Sequence, residues 1–281
     1  MKGWLTGHWQ VRIATAVLLA MAITAAIAPA IVPYDPSAQP DVLALGGLPP
    51  SLLHPFGTDQ FSRDLFSRTL IGARISLGIA ILATAIAILV GSGLGLMAGL
   101  GNRWVDTAIM RTVDASAAIP RLVLLIVILS LWGAVNPFVL ACILGLTSWF
   151  PMSRLVRGEV LSLKTRTFVQ ASRALGITRM RLVCRHVVPH LMPQIIVAAT
   201  LSVGNILLIE AGLSYLGLGV PAPGASWGSI IRDGRDLLGT APWISIFPGL
   251  AIALTVVSFS VLGEHLQQLL DPRATKPLRA H

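Results

Sequence analysis

Four strongly apolar stretches of this chain carry no charged side chain over a length that a bilayer crossing needs: residues 13–34, 75–102, 122–153 and 237–263. They run for 22, 28, 32 and 27 residues, and a helix of ~20 residues crosses the hydrocarbon layer. A fifth apolar segment, 192–213, is interrupted by a single acid, Glu210. Inside lipid every backbone N–H and C=O must be paired within the protein, so such runs fold as helices. The 32-residue run is too long for one span and short of two. Trp132, Gly133, Ala134, Val135, Asn136 and Pro137 break it in the middle, because Pro removes a backbone donor and Gly loosens a helix. The reading is two spans there, the first recruiting residues upstream of Arg121. Six transmembrane helices result, in an all-α membrane protein.

Charge placement tests that count. Of 21 basic residues, sixteen fall on one side of the predicted membrane and five on the other when the spans alternate. Cytoplasmic loops carry the excess of Lys and Arg, so the N- and C-termini and the loop at 154–193 are expected to be cytoplasmic. That loop holds eight Lys/Arg against one acid, Glu159. Fusing 122–153 into one span would turn it outward. The net charge of +9, which in a soluble chain would suggest nucleic acid, is here mainly an orientation signal, and no nucleic-acid partner is expected. Small residues at 26–30 imitate a signal-peptidase site, but the run at 13–34 is long for a leader and further spans follow. Cys142 and Cys184 are expected to be free thiols.

The basic loop has internal structure. Residues 165–175 fit a short helix, with Phe168, Ala171, Ala174 and Leu175 on one face. Gly176 suits the left-handed position after a helix end, and Thr178 a cap for a second helix stopping before Pro189. Gly91, Gly95 and Gly99 form two overlapping GxxxG spacings, which favour close helix packing in lipid. Glu210 lies ~27 Å along its span at 1.5 Å per residue, which places it near the outer interface within reach of water, capping a helix or pairing with a cation. His186 and His190 are spaced i, i+4, but no further ligand accompanies them. No GxxxxGK(S/T) motif and no nucleophile–base or paired-carboxylate arrangement occurs. The chain is therefore expected to have no catalytic residue, metal or cofactor of its own.

Gln170-Ala171-Ser172, then Gly176 and Pro189, resembles the cytoplasmic loop of ABC-importer permeases, whose pattern is Glu-Ala-Ala, three residues, Gly, and later a Pro. The resemblance extends through the chain. His54-Pro55-Phe56-Gly57-Thr58-Asp59, Ser62-Arg63-Asp64, Ser67-Arg68 and Gly72-Ala73-Arg74-Ile75-Ser76-Leu77 resemble the segment entering the second span of peptide- and nickel-type permeases. Asp106, Met110-Arg111, Asp114 and Pro120 keep that family's spacing. So do Glu210-Ala211, Leu213-Ser214, Leu216-Gly217-Leu218-Gly219-Val220, Ser226-Trp227-Gly228, Pro248-Gly249-Leu250 and Leu270-Asp271-Pro272. One departure stands out: Gln170 replaces the family's Glu, which removes a charge-assisted contact about twice as strong as a neutral one.

The resemblance implies a type I importer permease in a bacterial inner membrane. Residues 1–12 would be a cytoplasmic N-terminus, 13–33 the first span, 34–74 an extracytoplasmic segment, 75–264 a permease core of five spans, and 265–281 a cytoplasmic tail. Implied partners are a homologous permease subunit in a heterodimer, two cytoplasmic ATPase subunits that bind ATP and Mg, an extracytoplasmic substrate-binding protein, and membrane lipid. Gln170, Ala171, Ser172, Arg173, Leu175, Gly176 and Pro189 would couple to the ATPases. Asp59, Arg63, Asp64 and Trp227, within 34–74 and 219–227, would contact the binding protein. Di- and oligopeptides lead as cargo, with nickel or a metal–chelator complex as the alternative. A secondary transporter or a membrane scaffold are readings of another class; Glu210 alone fits the buried charge of the former.

Overall fold

The computed structural model describes residues 2–167 and 178–270, and every regular element among them is helical. In chain order these are α1 (Lys2–Ile31), α2 (Val42–Leu45), α3 (Leu65–Leu100), α4 (Arg103–Ala117), α5 (Arg121–Trp132), α6 (Pro137–Leu146), α7 (Trp149–Lys164), α8 (Arg179–Leu182), α9 (Val188–Tyr215), α10 (Trp227–Asp233) and α11 (Trp243–Leu270). Among the described residues four helices are long and apolar enough to cross a membrane: Trp9–Ile31, Leu65–Leu100, Met180–Tyr215 and Trp243–Leu270. The count is six if each of two bent pairs, α4 with α5 and α6 with α7, is one span.

The break in the long apolar run is where its Gly and Pro place it. Gly133 ends α5 at φ 79°, and Asn136 caps α6 by accepting from the Val139 N–H at 2.8 Å, with Pro137 in the first helical position. The residues recruited upstream of Arg121 do form a helix, α4, but it turns 81° from α5. Its polar composition and the Pro120 junction leave it lying aside rather than extending the span.

Two boundaries differ from the sequence reading. Helix α3 starts at Leu65, ten residues before the charge-free run, because Asp64 caps it through the Ser67 N–H at 2.7 Å, and of the two arginines inside it Arg68 is ion-paired and Arg74 is exposed. The second helix of the basic loop does not stop before Pro189. It runs on through a π-turn at Val183–Val187 into α9, the Val188 N–H reaching back to the Val183 carbonyl. The wider turn accommodates a proline that has no N–H to give.

The core joins α3, α5, α6, α9 and α11, with Met21 and Ala25 of α1 against it. The glycine face of α3 packs on α7 as the GxxxG spacing predicts. A Cβ on Gly91, Gly95 or Gly99 would come within 2.7 Å of Met152, the Ser153 carbonyl or Val160 respectively. Gly145 of α6 approaches Ile86 of α3 equally closely. On α1 the outward stripe is Leu19, Ile23, Ile27 and Ile31, an apolar face suited to lipid.

Candidate functional site

At one end of the bundle the loop before α3 folds over the α10 segment. Gly57 adopts φ 79°, and a Cβ there would meet the Leu48 carbonyl at 2.5 Å and the Trp243 indole at 2.8 Å. Glycine is therefore required on two grounds. Thr58 accepts from the Leu48 N–H at 2.9 Å and donates to the Leu45 carbonyl at 2.5 Å. Phe56 stacks on Phe247 of α11 at 4.0 Å. The His54-to-Asp59 motif is thus a fastening between loop and bundle.

Charges complete the fastening. Asp59 accepts from the Arg63 Nε at 2.6 Å and from the Phe61 and Arg63 backbone N–H groups. Asp233, on α10, accepts from Arg63 at 2.7 Å and from Arg68 at 3.0 Å. Asp64 faces His54 Nδ1 at 2.9 Å. Trp227 is buried, its indole donating to the Thr69 carbonyl at 3.0 Å and its backbone N–H to Ser76 Oγ at 3.1 Å. So the four residues read as binding-protein contacts, Asp59, Arg63, Asp64 and Trp227, turn inward, with side chains at most 8% exposed where they pair. They hold the surface at this end of the bundle in shape instead of forming it. Between this network and the loop at 216–224 lies a cavity of about 420 Å³ bordered by Arg63, Arg232, Gly217 and Pro221.

Glu210 does not reach water. It is 0% exposed, and among the described residues no cation pairs with it. Ser214 donates to its Oε1 at 2.6 Å and Ser76 to its Oε2 at 3.2 Å, while Ser226 stands behind Ser214 at 3.1 Å. Glu210 lies near the C-terminal end of its helix, but α10 folds back over it. Gly228 makes that approach possible, since a Cβ there would lie 2.4 Å from the Ala211 carbonyl. The buried serines belong to α3, α9 and the cap of α10, so the carboxylate ties three elements together.

At the opposite end of α3, α7 leads into the basic loop and the π-turn leads out. Val156, Val160 and Leu163 of the first stem pack with Val187 and Leu191 of the second, and Leu96 and Leu100 of α3 close the cluster. Ion pairs brace it from α4: Arg157 grips Asp106 through Nε at 2.5 Å and Nη2 at 2.7 Å, and Arg154 reaches Asp114 at 2.7 Å. The two-pronged Arg157 contact fixes orientation as well as distance. Of the coupling residues read from sequence, Gln170, Ala171, Ser172, Arg173, Leu175 and Gly176 lie outside the described residues. Pro189 is exposed in the first turn of α9.

Sequence reasoning missed Asp233, Ser76 and the Arg157–Asp106 pairing. The last had a signal: Asp106 and Asp114 share a helical face, as do Arg154 and Arg157. Ser76 lay inside the Gly72-to-Leu77 motif, but its role was not legible, and Asp233 had no signal, because the partners of both lie far away in the chain. Among the described residues no group of three or more His, Cys, Asp or Glu is placed to hold a metal ion.

Comparison with known proteins agrees with this architecture. Solved inward-facing structures of the MetNI methionine ABC transporter share the fold, with TM-scores of 0.56 and 0.57 at 17% identity, over 74% of this chain and 98% and 96% of theirs. A peptide permease protein of Brucella suis is 40% identical over 86% of this chain and 80% of its own length. The oligopeptide transport system permease protein OppC of Bacillus subtilis is 42% identical over 81% of this chain and 74% of its own. A peptide transport system permease protein of Brucella abortus is 37% identical over 95% of this chain and 88% of its own. The family described as binding-protein-dependent transport system inner membrane component matches residues 91–276, and this chain belongs to it.

Proposed function

We propose that this chain is one of two homologous membrane subunits of an ATP-driven importer of di- and oligopeptides. The observation that carries the cargo is that relatives named as peptide permeases align over four fifths or more of the chain. In this reading the termini and the loop at 154–193 face the cytoplasm, where sixteen of 21 basic residues then lie. Residues 1–12, 13–33, 34–74, 75–264 and 265–281 keep the roles inferred from sequence. The helix α3 enters the outer segment at its far end.

Two cytoplasmic ATPases, which bind ATP and Mg, engage Gln170, Ala171, Ser172, Arg173, Leu175 and Gly176, near Pro189. Their closure pushes on the loop. Both stems of the loop are packed into one apolar cluster with α3, so a displacement there moves α7 and α3 together instead of bending a hinge. The bundle then rocks against the partner subunit and opens the path to the other side. At the outer face an extracytoplasmic binding protein docks on the loops that Asp59, Arg63, Asp64 and Trp227 hold in place.

The test is uptake of a labelled dipeptide and of labelled nickel, side by side, in cells carrying the intact chain or the chain lacking residues 170–176. Loss of peptide uptake alone supports the reading. Loss of nickel uptake alone replaces the cargo; no change in either removes both cargoes, and failure of the ATPases to co-purify with the chain then removes the importer role.

A further inference from the structure

Arg121 opens α5 from the wall of two cavities. The smaller, about 170 Å³, lies among α3, α5, α7 and α9, with Ser202 and Asn205 on its border. The larger, about 550 Å³, lies toward α4 and is bordered by Ser116, Thr147 and Arg154. Arg121, Ser148 and Pro151 line both, so they form the partition. Among the described residues no carboxylate lines either cavity. Arg154 has Asp114 as its partner. Arg121 has only neutral acceptors there: its Nη2 donates to the Leu144 carbonyl at 3.3 Å and to Ser148 Oγ. Its Nε is shielded from solvent and hydrogen-bonded to nothing among the described residues.

A half-buried guanidinium answered only by neutral acceptors keeps its charge available to an incoming anion. Elsewhere in this chain buried arginines are matched: Arg63 and Arg68 share Asp59 and Asp233. At Arg121 no described residue supplies the matching anion, on the wall that the two cavities share. The planar fork of an arginine suits a carboxylate.

We infer that Arg121 is a receiving station for the carboxylate of a passing peptide, an anion site on the translocation path. This rests on the peptide-importer reading. The neighbouring Ser202 and Asn205 offer hydroxyl and amide groups to the same ligand in the smaller cavity. The anionic phosphate of a lipid headgroup shares the chemistry, so the test separates the two.

The assembled importer, with its partner subunits and binding protein, is reconstituted in vesicles of phosphatidylcholine with and without phosphatidylglycerol. Uptake of a tripeptide and of its C-terminal amide is followed for the intact chain, Arg121→Gln and Arg121→Lys. The expected result is that Arg121→Gln lowers uptake of the free acid about tenfold, the effect of one lost charge-assisted contact, and leaves the amide unchanged. Arg121→Lys keeps most of the preference. Equal loss for acid and amide means that Arg121 only braces α5 against Ser148, and overturns the inference. So does an unchanged acid-to-amide ratio in Arg121→Gln, which would place any preference in the binding protein. An Arg121→Gln effect confined to vesicles with phosphatidylglycerol assigns the site to lipid and overturns it too. If the intact importer takes up neither peptide, the peptide reading itself falls and the inference with it.

Discussion

Glu210 keeps its place through hydroxyl groups, each of which has a second task. Ser76 also accepts from the Trp227 N–H, and Ser214 from Ser226. Glu210→Gln therefore puts an amide N–H₂ against an oxygen that is already accepting. The expected loss is about 1–3 kcal/mol, the usual cost of a buried polar group left without a partner, read as a lower melting temperature of the purified complex. Trp227→Phe removes the indole bond to Thr69 while keeping most of the ring, and should cost about 1 kcal/mol in the same assay. Asp233 is the shared carboxylate of two arginines, and Arg68 is only 2% exposed. Asp233→Asn should cost about 2 kcal/mol, below the range for a fully buried pair because Asp233 itself is 25% exposed. Asp236→Asn, at an exposed pair with Arg235, should leave the melting temperature unchanged.

Between elements, the α3–α7 seam depends on missing side chains. A Cβ on Gly95 would lie 2.7 Å from the Ser153 carbonyl and 2.8 Å from Val156, backbone and β-branched atoms that give little. Gly95→Ala should cost about 1–3 kcal/mol by overpacking. Gly93→Ala, which meets nothing within 4 Å on the next face, should be neutral or stabilising by up to about 1 kcal/mol. A melting series on the two variants separates packing from helix propensity, which favours Ala at both positions. The GxxxG spacing was legible because helical periodicity puts i and i+4 on one face whatever lies opposite. The partner was not: three such glycines at i, i+4 and i+8 are silent about whether α7, α6 or another subunit packs there.

For the whole molecule, the packed seam would, on the importer reading, carry a displacement of the loop along α7 and α9. Gly176→Val should abolish peptide uptake while insertion and assembly with the partner subunit persist, both followed in one membrane preparation. Normal uptake in that variant would remove the transmission role given to Gly176. The six-span reading survives in outline, as four long helices and two bent pairs. The 81° turn at Pro120 was not legible, because a span count weighs length and charge and takes no account of direction.

The sequence by itself determined the helical membrane class, the break at Gly133 to Pro137 and the glycine face of α3. Each follows from local physics: backbone groups in lipid must pair within their own segment, and Gly and Pro act on their own turn. Only the tertiary structure decided which charges are answered. Arg68 meets Asp233 across 165 residues, and Ser76 meets Glu210 across 134. It also turned Asp59, Arg63, Asp64 and Trp227 from surface contacts into internal fastenings, since burial depends on what folds over a residue and the covering segment is remote in the chain.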